Sequence, residues 1–216
     1  MSVEPSLAGI FDALGLEPEL RDLCSDLVAR ARAAHPTVRA NATRFAEKVV
    51  QHGTQHGRRE PALLLALRTA DLWLAFGCAA RDPGALARFD ALFRDELDLV
   101  HRRVRPRGID RDDFVQVARE KLFVKEPPKI AEYSGHGDLR NWLRVTLTRT
   151  LLDMTRKRQE EPESDGAGGQ GFQLPAPGRD PELDFMQAHY KDAFRAAFER
   201  AARSLETDDR NLLRQH

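Results

Sequence analysis

The apolar residues of this chain recur at helical spacing over most of its length, and this pattern limits the fold more than any other feature. One clear stretch consists of Leu86, Phe89, Phe93, Leu97, Val100 and Val104. Steps of three and four residues place such side chains on one face of a helix. No alternating pattern typical of a strand continues for more than a few residues. The sequence therefore predicts an all-α protein.

Proline and glycine divide the pattern into separate helices. Gly15 ends the first helix, Pro18 opens the second at a favoured position, and His35-Pro36 ends it. The pattern further predicts a helix ending near Gly53 and a single helix running from Pro61 to the Asp82-Pro83-Gly84 break. The remaining predicted segments are a loop at 51–59, a helix at 86–104, a helix capped by Asp110 or Asp112, a loop at 125–137 and a long helix at 139–158.

Residues 159–180 are rich in glycine, proline and acidic residues and have no apolar period. This composition predicts a flexible linker. Beyond it, an amphipathic helix is predicted from the spacing of Leu183, Met186, Tyr190, Phe194, Ala197 and Ala201.

The 34 basic and 34 acidic residues give a net charge of zero, but the two signs are segregated along the chain. Residues 101–158 carry 15 basic and 8 acidic groups, whereas residues 159–216 carry 7 and 12. Neutrality therefore does not exclude a nucleic-acid partner, because the positive charge is concentrated in one segment.

Two cysteines, Cys24 and Cys78, lie in apolar helical contexts and are expected to be core residues. Two are too few for a disulfide scaffold or a zinc framework, which fits the reducing cytoplasm. No apolar run is long enough to span a membrane, and no signal peptide is recognised. We also find no phosphate-binding glycine loop or catalytic cluster, so the expectation is a binding protein without enzyme activity, metal or cofactor.

The 125–137 loop and the helix after it combine cations with aromatic, hydroxyl and amide groups. The loop carries Lys129, Tyr133, Ser134 and His136, with glycines at 135 and 137; the helix carries Arg140, Asn141, Trp142, Arg144, Thr148 and Arg149. Such a combination suits a single strand of nucleic acid, because cations neutralise phosphates and aromatic rings stack on bases. The alternative is an arginine-rich helix face that is merely solvated.

Three stretches resemble region 2 of sigma-70-type RNA polymerase sigma factors, in particular the compact extracytoplasmic-function-like forms. They are ADLWLAFGCAARDPGALARFDALF at 70–93, DDFVQVAREKLF at 112–123 and KIAEYSGHGDLRNWLRVTLTRTLLDMTRKR at 129–158. The stretch DPELDFMQAHYKDAFRAAFERAARSLETDDRNLLRQH, which ends at residue 216, looks like the opening of region 4 of those factors.

The resemblance implies a helical bundle of the sigma region 2 type, with an N-terminal helical extension and a linker-tethered C-terminal helix. The corresponding segments are the extension at 1–69, the region 2-like domain at 70–158, the linker at 159–180 and the incomplete start of a region 4-like domain at 181–216. For the extension, both an autoinhibitory and a partner-docking role remain open.

In sigma factors, the helix that matches 112–123 docks on the clamp helices of the largest polymerase subunit. The matching polar positions here are Asp113, Gln116, Arg119 and Glu120. The family usually has an acid directly after the glutamine, whereas this chain has Val117, which weakens the expected docking.

The same resemblance implies that residues 130–137 capture a flipped base of the promoter −10 element, on the non-template strand. Tyr133, Ser134 and His136 would contact that base, since a pocket that stacks on an extruded base also reads it. Lys129, Arg140, Asn141, Arg144, Thr148, Arg149 and Arg156 are the remaining expected DNA contacts. Trp142 matches the first of two adjacent tryptophans that act against the melted duplex, with a core position as the alternative.

The resemblance leaves two functions open. One is an initiation protein that binds core RNA polymerase and promoter DNA, with an anti-sigma protein as a further implied partner. The other is a helical adaptor or decoy that binds polymerase without opening a promoter. The helix-turn-helix that reads the −35 element in full-length members has no match before His216. The sequence is therefore expected to be either a fragment or a protein that does not read that element.

Overall fold

A computed structural model describes residues 6–55 and 58–160, and this part of the chain is mostly helical. The all-α prediction is therefore confirmed at this level. The helices of the described part are α1 (Leu7–Ala13), α2 (Pro18–Ala34), α3 (Ala42–His52), α4 (Pro61–Leu65), α5 (Thr69–Ala79), α6 (Pro83–Val104), α7 (Arg111–Arg119) and α8 (Leu139–Glu160). A two-residue antiparallel strand pair, β1 (Thr54–Gln55) and β2 (Arg58–Arg59), lies in the predicted 51–59 loop.

Several helix ends lie where local chemistry predicts them. Gly15 adopts a φ of 64° just after α1, and Pro18 is the first residue of α2. The side chains of Asp82 and Asp110 cap α6 and α7 by accepting hydrogen bonds from Ala85 N and Asp113 N, both at 2.8 Å. Such caps satisfy backbone donors that the first helical turn leaves without partners.

The single helix predicted from Pro61 onward is wrong, because the segment is broken into α4 and α5. Leu67 turns into the core and is buried, and its backbone leaves the helical path. The next backbone N–H, that of Arg68, donates to the carbonyl of Gly135 at 2.9 Å. A tertiary hydrogen bond thus replaces a helical one at this position.

The predicted 125–137 loop contains one short 3-10 turn, Lys129–Glu132. On its N-terminal side, α7 continues as a π-helical turn, Glu120–Val124. On its C-terminal side, α8 covers the predicted 139–158 helix.

Helix α5 lies at the centre of the core and packs against both α2 and α6, while α6 also packs against α8. The predicted segments 1–69 and 70–158 share this core, because Phe45 of α3 contacts Trp73 of α5 edge to face with ring centroids 4.9 Å apart. All described residues belong to one compact unit. The division at residue 69 stays a prediction about sequence segments. Helix α8 extends over the first two residues of the predicted 159–180 linker, and the rest of that linker and the predicted C-terminal helix lie outside the described residues.

Both cysteines are buried in this core, as predicted. Burial raises the pKa of the Cys24 thiol to about 11. Burial, reinforced by the Asp82 carboxylate, raises that of Cys78 to about 12. Both thiols are therefore protonated at neutral pH and act as small apolar side chains. In the described part of the chain, no helix has the length and apolarity needed to cross a membrane.

Candidate nucleic-acid interface

The loop between α7 and α8 is held in one shape by its own buried residues. The Tyr133 hydroxyl donates to the carbonyl of Gly137 at 2.7 Å, and the Tyr133 side chain is buried. Its ring meets that of Trp142 edge to face, with centroids 5.8 Å apart. Gly135 and Gly137 have φ angles of 83° and 81°, a region that side-chain-bearing residues rarely adopt. The segment between Ile130 and Asp138 therefore forms a turn that is closed by the Tyr133–Gly137 hydrogen bond.

Two helices that precede this loop in the chain, α3 and α5, hold its two ends. The Lys48 ammonium of α3 donates to the Ala131 carbonyl at 3.0 Å, and burial lowers the pKa of this lysine. Asp71 of α5 accepts a hydrogen bond from Leu139 N at 3.3 Å, which caps the start of α8. Sequence reasoning missed these contacts, because they join residues 68 to 83 positions apart.

The predicted base-contacting residues of the loop differ in exposure. His136 is exposed and Ser134 is half-buried, so both are accessible to a ligand. Tyr133, the third of these residues, has its ring in the core and its hydroxyl bonded to Gly137, so in this conformation it offers no face to a base. Burial raises the pKa of its phenol, with a smaller contribution from Asp71. The Lys129 ammonium pairs with Glu132 at 2.6 Å.

The arginines at the start of α8 meet a buried carboxylate. Arg144 Nε lies 2.7 Å from Glu96 Oε2, and its Nη2 lies 3.2 Å from Oε1. The side chain of Glu96 is 2% exposed and that of Arg144 is 12% exposed. In this fork-like pair the Arg144 guanidinium neutralises an acid on α6, so the predicted phosphate contact by Arg144 would have to compete with Glu96. Arg140 Nη1 also reaches Glu96, at 3.1 Å, but the Arg140 side chain stays 51% exposed.

The remaining predicted contacts lie along α8. Thr148 is buried and donates to the Arg144 carbonyl at 2.8 Å, so in this conformation its hydroxyl is not accessible to DNA. Trp142 is partly buried and packs against the core, and Asn141 is also only partly exposed. Arg149 is exposed, and Arg156 is exposed and pairs with Asp153 at 3.3 Å. His136 in the loop and Arg140 at the start of α8 are thus two predicted contacts that are both exposed.

The predicted polymerase-binding residues share one exposed face of α7 and the turn after it. Asp113, Gln116, Arg119 and Glu120 are all exposed, while Phe114 and Ala118 point into the core. Arg119 is already engaged: it pairs with Asp90 at 2.5 Å and lies over the ring of Phe93, 5.5 Å from its centroid.

An apolar groove of about 320 Å³ opens beside Arg119, between α6 and the π-helical turn. Its lining residues are Leu86, Phe89, Asp90, Phe93, Arg119, Phe123 and Val124. Val124 is 62% exposed, which is unusual for a large apolar side chain in this part of the protein. Sequence reasoning missed the groove, because the residues of α6 that line it belong to the same apolar stripe as its core residues.

Replacing Tyr133 with phenylalanine is expected to lower the free energy of unfolding by about 0.5–1.5 kcal/mol. The ring contacts remain, but the Gly137 carbonyl loses its donor. Urea denaturation followed by circular dichroism measures the change. An unchanged free energy would mean that water replaces the hydroxyl, and that the loop is more open than described.

The described residues thus include an exposed histidine in the loop, an exposed arginine in the first turn of α8, and a separate polar helix face next to an apolar groove. In residues 6–55 and 58–160, no cluster of three or more histidine, cysteine or acidic side chains is placed to hold a metal ion. Comparison with known proteins adds no relative, since no family model, curated protein or solved structure matches this chain.

Proposed function

We propose that this chain is a sigma-factor-like transcription initiation protein. It binds core RNA polymerase, and it recognises and melts the promoter −10 element through the loop and helix at 125–158. The proposal rests on the sequence resemblance together with one observation: the loop that the Tyr133–Gly137 hydrogen bond closes carries exposed His136, and exposed Arg140 follows in the first turn of α8.

Polymerase binding is assigned to the exposed face of α7. Gln116 and Glu120 lie one helical turn apart, and Asp113 precedes Gln116 by three residues, so the three side chains align. Phe114 and Ala118 on the opposite face of α7 are buried in the core, so the polar face of this helix points to the surface. Such a preformed face binds a helical partner without prior rearrangement.

Strand binding is assigned to the start of α8. The Arg140 guanidinium has five N–H donors and is half exposed, so donors remain for a phosphate after its contact with Glu96. His136 and Ser134 take over the base contacts, because Tyr133 is buried. In this proposal the loop reads a base through hydrogen bonds and one imidazole ring.

A second candidate function is an adaptor or decoy that binds polymerase without opening DNA. The burial of Tyr133 and the pairing of Arg144 with Glu96 favour it, since they withdraw two expected DNA contacts. The α7 face is common to both candidates. The two are separated by promoter opening, measured with core polymerase as the reactivity of unpaired thymines to permanganate.

The double variant Gln116→Ala/Glu120→Ala is expected to weaken binding to core polymerase about tenfold, which corresponds to about 1.4 kcal/mol. Fluorescence anisotropy of labelled protein titrated with core enzyme measures this. Because both positions are exposed, the free energy of unfolding is expected to stay within about 0.5 kcal/mol of wild type.

The matched control is Glu47→Ala/Gln51→Ala, which alters an exposed acid and an exposed glutamine four residues apart on α3. It is expected to leave core affinity unchanged. Equal loss in both variants, or none in either, would remove the α7 face as the polymerase contact. Core binding by wild type without any permanganate-reactive thymine would replace the initiation function with the adaptor.

A further inference from the structure

The turn between α6 and α7 carries an unusual density of arginines. Residues 101–110 read HRRVRPRGID, so four arginines lie within the seven residues 102–108 and no acid lies among them. The turn is closed at its base, where His101 Nε2 lies 3.2 Å from the Ile109 carbonyl. Its arginines are all exposed and are confined to one small region of the surface.

The C-terminal end of α8 reaches the same place. Gly108 has a φ of 70°, and a Cβ built on it would lie 2.8 Å from Nε of Arg158. Lys157 precedes Arg158 and is exposed like it. We name these six residues the basic patch: Arg102, Arg103, Arg105, Arg107, Lys157 and Arg158.

The carboxylates around the basic patch are engaged elsewhere. Asp98 pairs with Arg111 at 2.7 Å, and Asp153 pairs with Lys121 and Arg156 at 3.4 and 3.3 Å. Within the described ranges, no carboxylate forms an ion pair with Arg102, Arg103, Arg105, Lys157 or Arg158. The positive charge of the patch is therefore left largely uncompensated by this part of the chain.

Balancing the helix dipoles would require only a small part of the positive charge in the basic patch. Two helix ends meet here, and each C-terminus carries a partial charge of about −0.5. One or two cations would balance them, whereas five of the six in the basic patch form no ion pair within the described ranges. The excess is typical of a surface that binds a polyanion.

The chemistry of the patch favours a nucleic acid over an acidic protein. Five of its six cations are arginines, whose planar forks bind phosphate oxygens in pairs. The large apolar side chains that are exposed in the described part, Leu65 and Val124, both lie outside it. Protein interfaces draw much of their affinity from apolar and aromatic anchors, whereas phosphate binding depends mainly on charge.

The basic patch lies far from the loop that the proposed function uses. Residues 139 and 158 are separated along α8 by about 28 Å at 1.5 Å per residue. That distance equals about eight base pairs of B-form DNA at 3.4 Å per pair. A strand held at the loop would thus reach the patch only through flanking DNA.

We propose that the basic patch binds the phosphate backbone of duplex DNA, without sequence preference, as a contact separate from the −10 loop. It extends the proposed function by adding affinity for DNA beside the melted region. The contact itself depends on neither −10 recognition nor polymerase, and it can therefore be tested on the chain alone.

The test is the salt dependence of binding to a labelled 30-base-pair duplex that contains no −10 element. Fluorescence anisotropy is recorded over a KCl series with the full chain and with Arg103→Gln/Lys157→Gln. Each lost phosphate contact lowers the slope of log K against log [KCl] by about 0.9, so a decrease of about two is expected. Affinity at low salt is expected to fall about tenfold or more.

The control is Arg32→Gln/Arg39→Gln, which removes two exposed arginines, one of them from the last turn of α2. It matches the change in net charge and retains the basic patch, so its slope is expected to equal that of wild type. Absence of duplex binding by wild type, or equal slopes in all three proteins, would overturn the proposal. Loss of binding to a poly-glutamate peptide in the patch variant, with duplex binding unchanged, would assign the patch to an acidic protein instead.

A parallel titration with core polymerase separates this inference from the proposed function. The patch variant is expected to keep the core affinity of wild type, because the α7 face is unaltered. If duplex binding depends on the patch while wild type does not bind core, the inference stands and the proposed function fails.

Discussion

Replacing Glu96 with alanine is expected to lower the free energy of unfolding by about 3–5 kcal/mol. The Glu96 side chain is almost completely buried, and it holds the guanidinium of Arg144, which is itself only 12% exposed. Alanine would remove the buried carboxylate that this largely buried cation contacts through two nitrogens, and it would also free Arg140 from α6. Urea denaturation followed by circular dichroism at 222 nm measures the loss.

The neighbouring substitution Asp95→Ala is the matched control, since it removes the same charge from an exposed position of the same helix. It is expected to change stability by no more than about 0.5 kcal/mol. The double variant Glu96→Leu/Arg144→Met removes both charges and is expected to recover most of the loss. A loss below about 1 kcal/mol for Glu96→Ala would mean that Arg144 reaches solvent easily, and it would restore this arginine as a phosphate contact.

Helix ends could be predicted from the sequence where short-range chemistry determines them. Gly15 and Pro18 act through their own backbone angles, and Asp82 caps a helix only three residues away. The break between α4 and α5 could not be predicted in this way. It depends on a hydrogen bond between Arg68 and Gly135, which are 67 positions apart in the chain.

The same distinction applies to the candidate site. The exposed face of α7 follows from the helical period, because burying Phe114 fixes where Gln116 and Glu120 point. The role of Arg144 does not follow from the period of α8. A cation opposite an apolar stripe looks solvated until a second helix, here α6, places an acid such as Glu96 against it.

Tyr133 illustrates a related limit. An aromatic residue in a polar, glycine-containing loop resembles an exposed stacking group in the sequence. The fold buries it because the Gly137 carbonyl accepts a hydrogen bond from the phenol hydroxyl and the Trp142 ring contacts the Tyr133 ring.

The basic patch shows the same limit. The charge count showed that residues 101–158 are basic, but the cations of the α6–α7 turn and of α8 come together only because the fold places Arg158 against Gly108.

Replacing Phe45 with alanine is expected to lower the free energy of unfolding by about 3–5 kcal/mol. This ring is fully buried in α3 and contacts two aromatic rings of α5, those of Trp73 at 4.9 Å and Phe76 at 5.6 Å between centroids. A cavity at this position would weaken the contact between the N-terminal helices and α5. Because the core is continuous, the whole described part is expected to unfold earlier in a single transition.

The fluorescence of the two tryptophans tests whether the described part unfolds in a single transition, because they lie in different helices. Trp73 lies beside Phe45, and Trp142 lies in α8. In the described part the Trp73 indole N–H has no hydrogen-bond partner, so Trp73→Phe loses packing but no bond.

Single-tryptophan backgrounds, Trp142→Phe and Trp73→Phe, are therefore each combined with Phe45→Ala and followed by fluorescence in urea. Both signals are expected to shift by the same free energy, and the milder Phe45→Leu to shift them by less, since it leaves a smaller cavity. A Trp73 transition at lower urea than an unshifted Trp142 transition would contradict the single core. It would mean that α3 and α5 unfold before α8, in which case the support that Lys48 gives to the loop could be withdrawn without unfolding α8.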